Sequence, residues 1–196
     1  MQKIQRLTAT LLLIVTGTAA QAASLALMPS ADTVQQFGAF TVNLVLNAAG
    51  AEVKGTHPGQ HGGEIKVSFD QTLLRYDGFS LASGLGFIYS PAVTTSGNTQ
   101  TVRLGFNKAA DTGTVGIFSF TAIGVTPAGS PTVLDLQDAS ILASSFANYL
   151  PNKQAFTPVF IDAQVNITAV PLPASVWLLG TALGGLAARR RFRRTG

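Results

Sequence analysis

The chain has no cysteine, a single tryptophan, two histidines and only 11% charged residues in a length of 196. Without cysteine there is no disulfide, no thiolate nucleophile and no Cys-type zinc site. A secreted form therefore has to draw its stability from packing alone. No nucleophile elbow, P-loop or dinucleotide fingerprint is present, and no internal repeat. Between residues 23 and 169 there is no helical run of useful length. The body also lacks a basic surplus. The formal charge of the whole chain is +4, but residues 23–169 carry six lysines and arginines against all nine acidic residues, a balance of −3. The basic excess belongs to the two ends, and nucleic-acid binding has no support.

What is present starts at those ends. Lys3 and Arg6 precede an apolar run from about Leu11 to Ala20, followed by Ala20-Gln21-Ala22. A basic start, a short apolar core and an A-x-A exit predict a signal peptide over residues 1–22, removed by signal peptidase after Ala22. The apolar core is too short for a comfortable membrane span; an uncleaved anchor is the competing reading. At the other end, Val170 to Ala188 is a run of 19 uncharged residues. As a helix it would measure about 28 Å, against a bilayer core of about 30 Å. Arg189, Arg190, Arg191, Arg193 and Arg194 follow at once. Such a cluster stops transfer and holds its end of the helix on the cytoplasmic side. The body would then lie outside, in agreement with the signal peptide. Pro171 and Pro173 cannot enter a helix interior without cost, so they mark its boundary.

The order Val170-Pro171-Leu172-Pro173-Ala174, a short span with Trp177, then the arginines resembles the PEP-CTERM sorting tail in its VPLPA variant. The resemblance covers residues 170–196. It implies recognition by an exosortase, transient inner-membrane anchoring, and release to the cell surface or extracellular matrix in a biofilm or exopolysaccharide setting. A permanent type I anchor is the alternative that the segment's physics allows.

The body, residues 23–169, suits one domain with one core, and its pattern is that of strands. Phe40, Val42, Leu44 and Leu46 alternate with Thr41, Asn43, Val45 and Asn47. The same period of two runs through Glu64–Phe69, Val102–Phe106 and Val159–Ile167. Alternation with one wet face is the antiparallel signal. Val115–Val125 is apolar on both faces and reads as a central strand. Turn residues occupy Ala48–Gly63, Ser96-Gly97-Asn98, Ala110–Gly113 and Pro127–Pro131. The sum is an all-β sandwich of about nine strands, with one helical turn near Leu142–Tyr149.

Gly62-Gly63-Glu64-Ile65-Lys66-Val67-Ser68-Phe69-Asp70, followed by Gln71-Thr72-Leu73-Leu74-Arg75-Tyr76, resembles a segment of the cohesin domain. Val102–Phe106, Asp111–Phe120, Leu134–Ile141 and the last strand through Val165 are similar to later parts of the same family. The resemblance spans roughly residues 25–169. It implies a nine-stranded jelly roll, shared with some carbohydrate-binding modules, and dockerin binding through one sheet face. Where well-known cohesins carry an Asn-x-Asp pair, this chain has Gly62-x-Glu64, so only the acid is kept in type.

Local chemistry is sparse, and no catalytic residue and no cofactor are assigned. His57 and His61, four apart, could bring two imidazoles to a metal from a loop, with Glu64 near; Pro58 and four glycines rule out the helix that usually makes this spacing effective. A plain polar loop is the simpler reading. Asp135, Asp138 and Asp162 could offer oxygens to calcium, or be solvated acids. Glu64, Tyr76 and Tyr89 are the candidate ligand-binding residues, the tyrosines because a sugar platform needs exposed aromatics. Three readings stay open: a non-catalytic protein-interaction module, a binder of exopolysaccharide, and a hydrolase with an unrecognised site.

Overall fold

The structure, a computed structural model, describes residues 23–48, 61–110, 112–139, 147–148 and 157–171, together with residue 181. Two mixed sheets face each other. One has five strands in the order β11-β1-β3-β8-β5: β1 Ser24–Pro29, β3 Ala39–Asn47, β5 Leu74–Leu81, β8 Thr112–Ala122 and β11 Val159–Ile161. The other runs β2-β12-β9-β4-β7-β6: β2 Thr33–Gln35, β4 His61–Asp70, β6 Gly86–Ser96, β7 Thr99–Ala109, β9 Thr132–Asp138 and β12 Ala163–Thr168. A two-residue strand, β10 (Ala147–Asn148), also pairs with β4.

The period-two runs dictate this arrangement. In β3, Phe40, Val42, Leu44 and Leu46 are buried while their neighbours are at least partly exposed. In β4, Ile65, Val67 and Phe69 point in, and Glu64, Lys66, Ser68 and Asp70 lie on the wetter face. The inner faces close over an aromatic cluster. Phe120 stacks on Phe40 at 5.7 Å and receives the edge of Phe69 at 5.2 Å. Phe118, fully buried, meets Phe79 at 4.5 Å. Aromatic pairs at these separations add to the burial of their area. This packing substitutes for the cross-links that a cysteine-free chain cannot form.

The first and last strand pairs stitch the sheets together. β1 belongs to the five-stranded sheet and β2 to the seven-stranded one. β11 and β12 make the same crossing beside them, pairing in parallel with β1 and β2. The alternation that predicts one strand over 159–167 therefore breaks at Asp162. Val159 and Ile161 are exposed, whereas Ala163, Val165 and Ile167 are buried. The Asp162 carboxylate accepts a hydrogen bond from Leu136 N at 2.8 Å, holding the crossing against β9.

Other expectations need correction. Among the described residues eleven strands of three or more residues are formed, with β10 besides, rather than nine. β4 begins at His61, so His61-Gly62-Gly63 belong to a strand and not to the preceding loop. β8 is a central strand as expected, flanked by β3 and β5, but it ends at Ala122 and is buried on one face, with Ile117 exposed on the other. Ala147–Asn148 pair with Gly62 and His61 instead of joining a helical turn. The signal peptide with Ala20 and Ala22, His57, Tyr149, Leu172, Pro173, Ala174, Trp177 and the arginine cluster lie outside the described residues. Among the described residues no helix is long and apolar enough to cross a membrane.

Candidate functional site

The two outer faces differ in kind. β11, β1, β3 and β8 contain no charged residue and no histidine. The charges of the five-stranded sheet are confined to its edge strand β5, where Arg75 and Asp77 pair at 2.7 Å. Burial alone would raise the Asp77 carboxyl. Hydrogen bonds from Thr121 and Arg75, with the charge of Arg75, outweigh it and hold the group below the ordinary carboxylate value. The outer face of β9, β4 and β7 carries Asp135, Glu64, Lys66 and Arg103, with Tyr89 on neighbouring β6.

At the centre of this second face three residues from three strands meet. Glu64 stands opposite Gly105, and Gly105 stands opposite Tyr89. A Cβ on Gly105 would come within 3.1 Å of Tyr89 Cδ2 and 3.3 Å of Glu64 Cγ, so glycine lets both side chains close in over β7. Arg103 is directly across from Lys66, a like-charge pairing that costs energy on a sheet. It reaches instead to Glu64, with Nη2 to Oε2 at 2.7 Å. Its guanidinium carbon lies 6.0 Å from the centre of the Tyr89 ring, at the outer limit of a cation–π contact. Glu64 is only 18% exposed, Arg103 43%. Beside them Ser68 and Thr101 share a hydrogen bond of 2.9 Å, and Gln137 donates to Asp135 at 2.6 Å. The arrangement is a laterally braced array of donors, acceptors and one half-exposed aromatic on the outer face of the sheet. Arg and Tyr so placed suit a protein interface.

Of the candidate residues, then, Glu64 and Tyr89 come together. Tyr76 does not join them. It sits on β5 in the other sheet, half-buried, its ring 5.9 Å from Phe120. Burial pushes its phenol up from the ordinary value. Its partner in register is Phe120, and the side chain is spent on that packing. Tyr76 and Tyr89 therefore stand on different sheets. His61 is buried, 2% exposed, between the ladders to β7 and β10. Asp135 accepts from Gln137, and Asp162 from Leu136 N. Among the described residues no three His, Cys, Asp or Glu side chains group as metal ligands would. Arg103 was missed by sequence reasoning because its partner Glu64 is 39 positions away, and only the strand register shows the pairing.

No protein-family model and no curated protein matches the chain. Solved structures do. The sixth cohesin of scaffoldin B from Acetivibrio cellulolyticus, determined in complex with a Cel5 dockerin mutant, superposes with a TM-score of 0.54 at 13% identity. The match covers 76% of this chain and 100% of that one. A cohesin module from a family 33 glycoside hydrolase of Clostridium perfringens gives 0.55 at 10% identity, covering 76% and 98%. A type II cohesin domain from the A. cellulolyticus cellulosome gives 0.52 at 10%, covering 74% and 96%. At these identities the likeness establishes the fold: the chain contains a cohesin-like β-sandwich.

Proposed function

We propose that this chain is an exported, non-catalytic protein-interaction module that binds a dockerin-like partner through the outer face of β9, β4, β7 and β6. The observation that carries the reading is the Glu64–Arg103–Tyr89 constellation on that face of a cohesin-like sandwich. The face mixes both charges with an aromatic, the composition that gives an interface register and selectivity. The opposite face offers no charge on four adjacent strands. A cohesin of A. cellulolyticus with the same fold was crystallised with a dockerin, which supports a partner of that type. Gly62 in place of the family's Asn implies a partner selected differently from those of well-known cohesins.

In the same proposal the N-terminal signal sends the body out. Val170-Pro171-Leu172-Pro173-Ala174 is the exosortase recognition motif, residues 170–188 anchor the chain in the inner membrane for a time, and Arg189 to Arg194 stop transfer. The product reaches the cell surface or matrix of an exopolysaccharide-producing bacterium. Two experiments test the two halves. Intact mass of the protein from separated host fractions should show a chain starting near Ala23 and ending near Pro173 outside the inner membrane. A full-length tail in every fraction refutes exosortase processing. Immobilised wild-type protein and an Arg103→Glu/Tyr89→Ala variant, each exposed to the host's extracellular fraction, should differ in one retained protein. Equal retention by both, or retention of polysaccharide alone, refutes the binding face.

A further inference from the structure

Three segments meet where the chain leaves the sandwich. Thr168 ends β12, and its carbonyl accepts from Gln36 N at 2.8 Å. One residue earlier, the Ile167 carbonyl accepts from Thr126 N at 3.0 Å, and Ile167 N donates to Thr126 Oγ1. The stretches brought together are 33–38, 121–131 and 163–171. None of them contains Asp, Glu, Lys, Arg or His. Each presents an exposed apolar side chain: Phe37 at 70%, Val125 at 42% and Val170 at 47%. Among the described residues, charges stand only at the rim: Asp32 before β2, Asp70 at the turn after β4, and the Arg75–Asp77 pair of β5, both of whose side chains bond Thr121 Oγ1. The Asp70 carboxylate is folded back onto Thr72 N and Oγ1.

Phe37 is the least expected of these. It has φ of 67°, a left-handed conformation that a bulky residue rarely adopts. It occupies the third position of the turn Gln35–Gly38, closed by Gly38 N to Gln35 O at 2.9 Å, where glycine or asparagine is the low-cost choice. The backbone is pinned there by Phe37 N to Ala122 O and by Ala122 N to Gly38 O. An aromatic residue is thus held largely exposed at a strained position. Strain kept at an exposed position is a mark of use.

The chain beyond supplies the occupant. The 19 uncharged residues begin at Val170, and Pro171 and Pro173 mark the start of the helix. From Thr168 to Ala174 is six residues, a reach of at most about 21 Å. If that helix is in a bilayer, the end of the sandwich around Phe37 is held within that reach of the bilayer surface. We propose that this charge-free collar docks on the lipid interface, with Phe37 as its inserted contact, while the tail is anchored. The proposal rests on the reading of residues 170–188 as a membrane span. A surface without ionised side chains loses less on leaving bulk water for the interface than a charged one, and an aromatic ring there gains. Docking would fix the tilt of the module and turn Val170–Ala174 in a constant direction along the membrane, as an intramembrane protease requires.

The test uses the full chain in neutral phosphatidylcholine liposomes whose acyl chains carry bromine, a short-range quencher of tryptophan. Wild type reports the tail through Trp177, its only tryptophan. The Trp177→Phe/Phe37→Trp double variant reports the collar; Trp177→Phe/Val125→Trp is a second collar probe, and Trp177→Phe/Tyr89→Trp is the control on a distant edge strand. The expected result is quenching in wild type and loss of intensity with a blue shift for both collar probes, strongest with bromine near the headgroups. The Tyr89→Trp control should stay unquenched. Quenched wild type with both collar probes unquenched overturns the docking proposal and leaves the span standing. Unquenched wild type overturns the span reading, and the docking proposal with it.

Discussion

Two glycines, one in each sheet, make unequal demands on a single methyl group. Gly116 on β8 faces Phe79 and Ser80. A Cβ there would overlap Phe79 Cζ and stand 2.6 Å from the Ser80 carbonyl oxygen. That oxygen is backbone in the β5–β8 ladder, where Ser80 pairs with Ile117 and Leu81 with Gly116. It can retreat only by disturbing the ladder, and Phe79 is packed on buried Phe118. Overpacking of this kind costs about 1–3 kcal/mol, offset by about 0.5–1 kcal/mol from removing glycine from a strand. Gly116→Ala should therefore lose about 1–2 kcal/mol, a fall in Tm of about 3–8 °C for a body of this size. At Gly105 the same methyl meets Ile88 Cβ and Tyr89 Cδ2, each at 3.1 Å, and Glu64 Cγ at 3.3 Å. Tyr89 is 55% exposed and can swing away. Ile88 Cβ is carried on the backbone of edge strand β6 and has to give by a few tenths of an ångström, so Gly105→Ala should cost about 0.5–1 kcal/mol, less than Gly116→Ala, while weakening partner binding because the ring leaves Arg103. Chemical denaturation followed by circular dichroism measures the first effect, and retention of the captured partner the second. If Gly105→Ala is the more destabilised of the two, the description of the packing is wrong.

Further expectations follow from particular contacts. The Asp77 carboxyl is held below the ordinary value of 3.8. The folded state thus favours its charged form, and the contribution is present above that value and lost as pH falls through the lowered one. The stability difference between wild type and Asp77→Asn should shrink below pH 4, as measured by urea denaturation across pH; a difference that grows towards acid contradicts the pairing with Arg75 and Thr121. Phe37→Gly removes a left-handed cost of about 1–2 kcal/mol and adds a glycine entropy cost of about 0.5–1 kcal/mol. It should leave the protein in solution as stable as wild type or slightly more so, and a clear loss in thermal unfolding would mean that Phe37 packs on its own domain. Asp162→Ala deprives Leu136 N of a charged acceptor at 2.8 Å and should cost about 1–3 kcal/mol, with faster amide exchange at Leu136 than in wild type.

Several strands were legible because one of their faces is buried and the other wet. β3 and β4 alternate without interruption over their central residues, and β7 departs from alternation only at buried Gly105 between Val102 and Phe106, and so they stood out. β6 did not. Most of its residues are at least partly exposed, Pro91 interrupts its ladder, and its register with β7 slips twice. An edge strand with no buried set leaves no period to find. The division at Asp162 was hidden for the opposite reason, because the apolar spacing continues across it. Only the exposure of Val159 and Ile161 shows that the phase has changed. In the candidate site, Glu64 and Tyr89 were visible as residue types. Arg103 and Gly105 were not, since their roles depend on pairing between β4, β7 and β6 that no local window contains. Phe37 was passed over because a phenylalanine in a β-rich chain is ordinarily core, and its left-handed turn leaves no mark in the sequence.

The central claim is that the charged face of β9, β4, β7 and β6 binds the partner. Amide hydrogen exchange of the protein with and without the captured partner tests it most directly. The account predicts slowed exchange along β6 and β7, centred on Tyr89 to Arg103, with β1, β3 and β11 unchanged. Protection confined to β1, β3 and β11 would place the interface on the uncharged sheet and contradict the account.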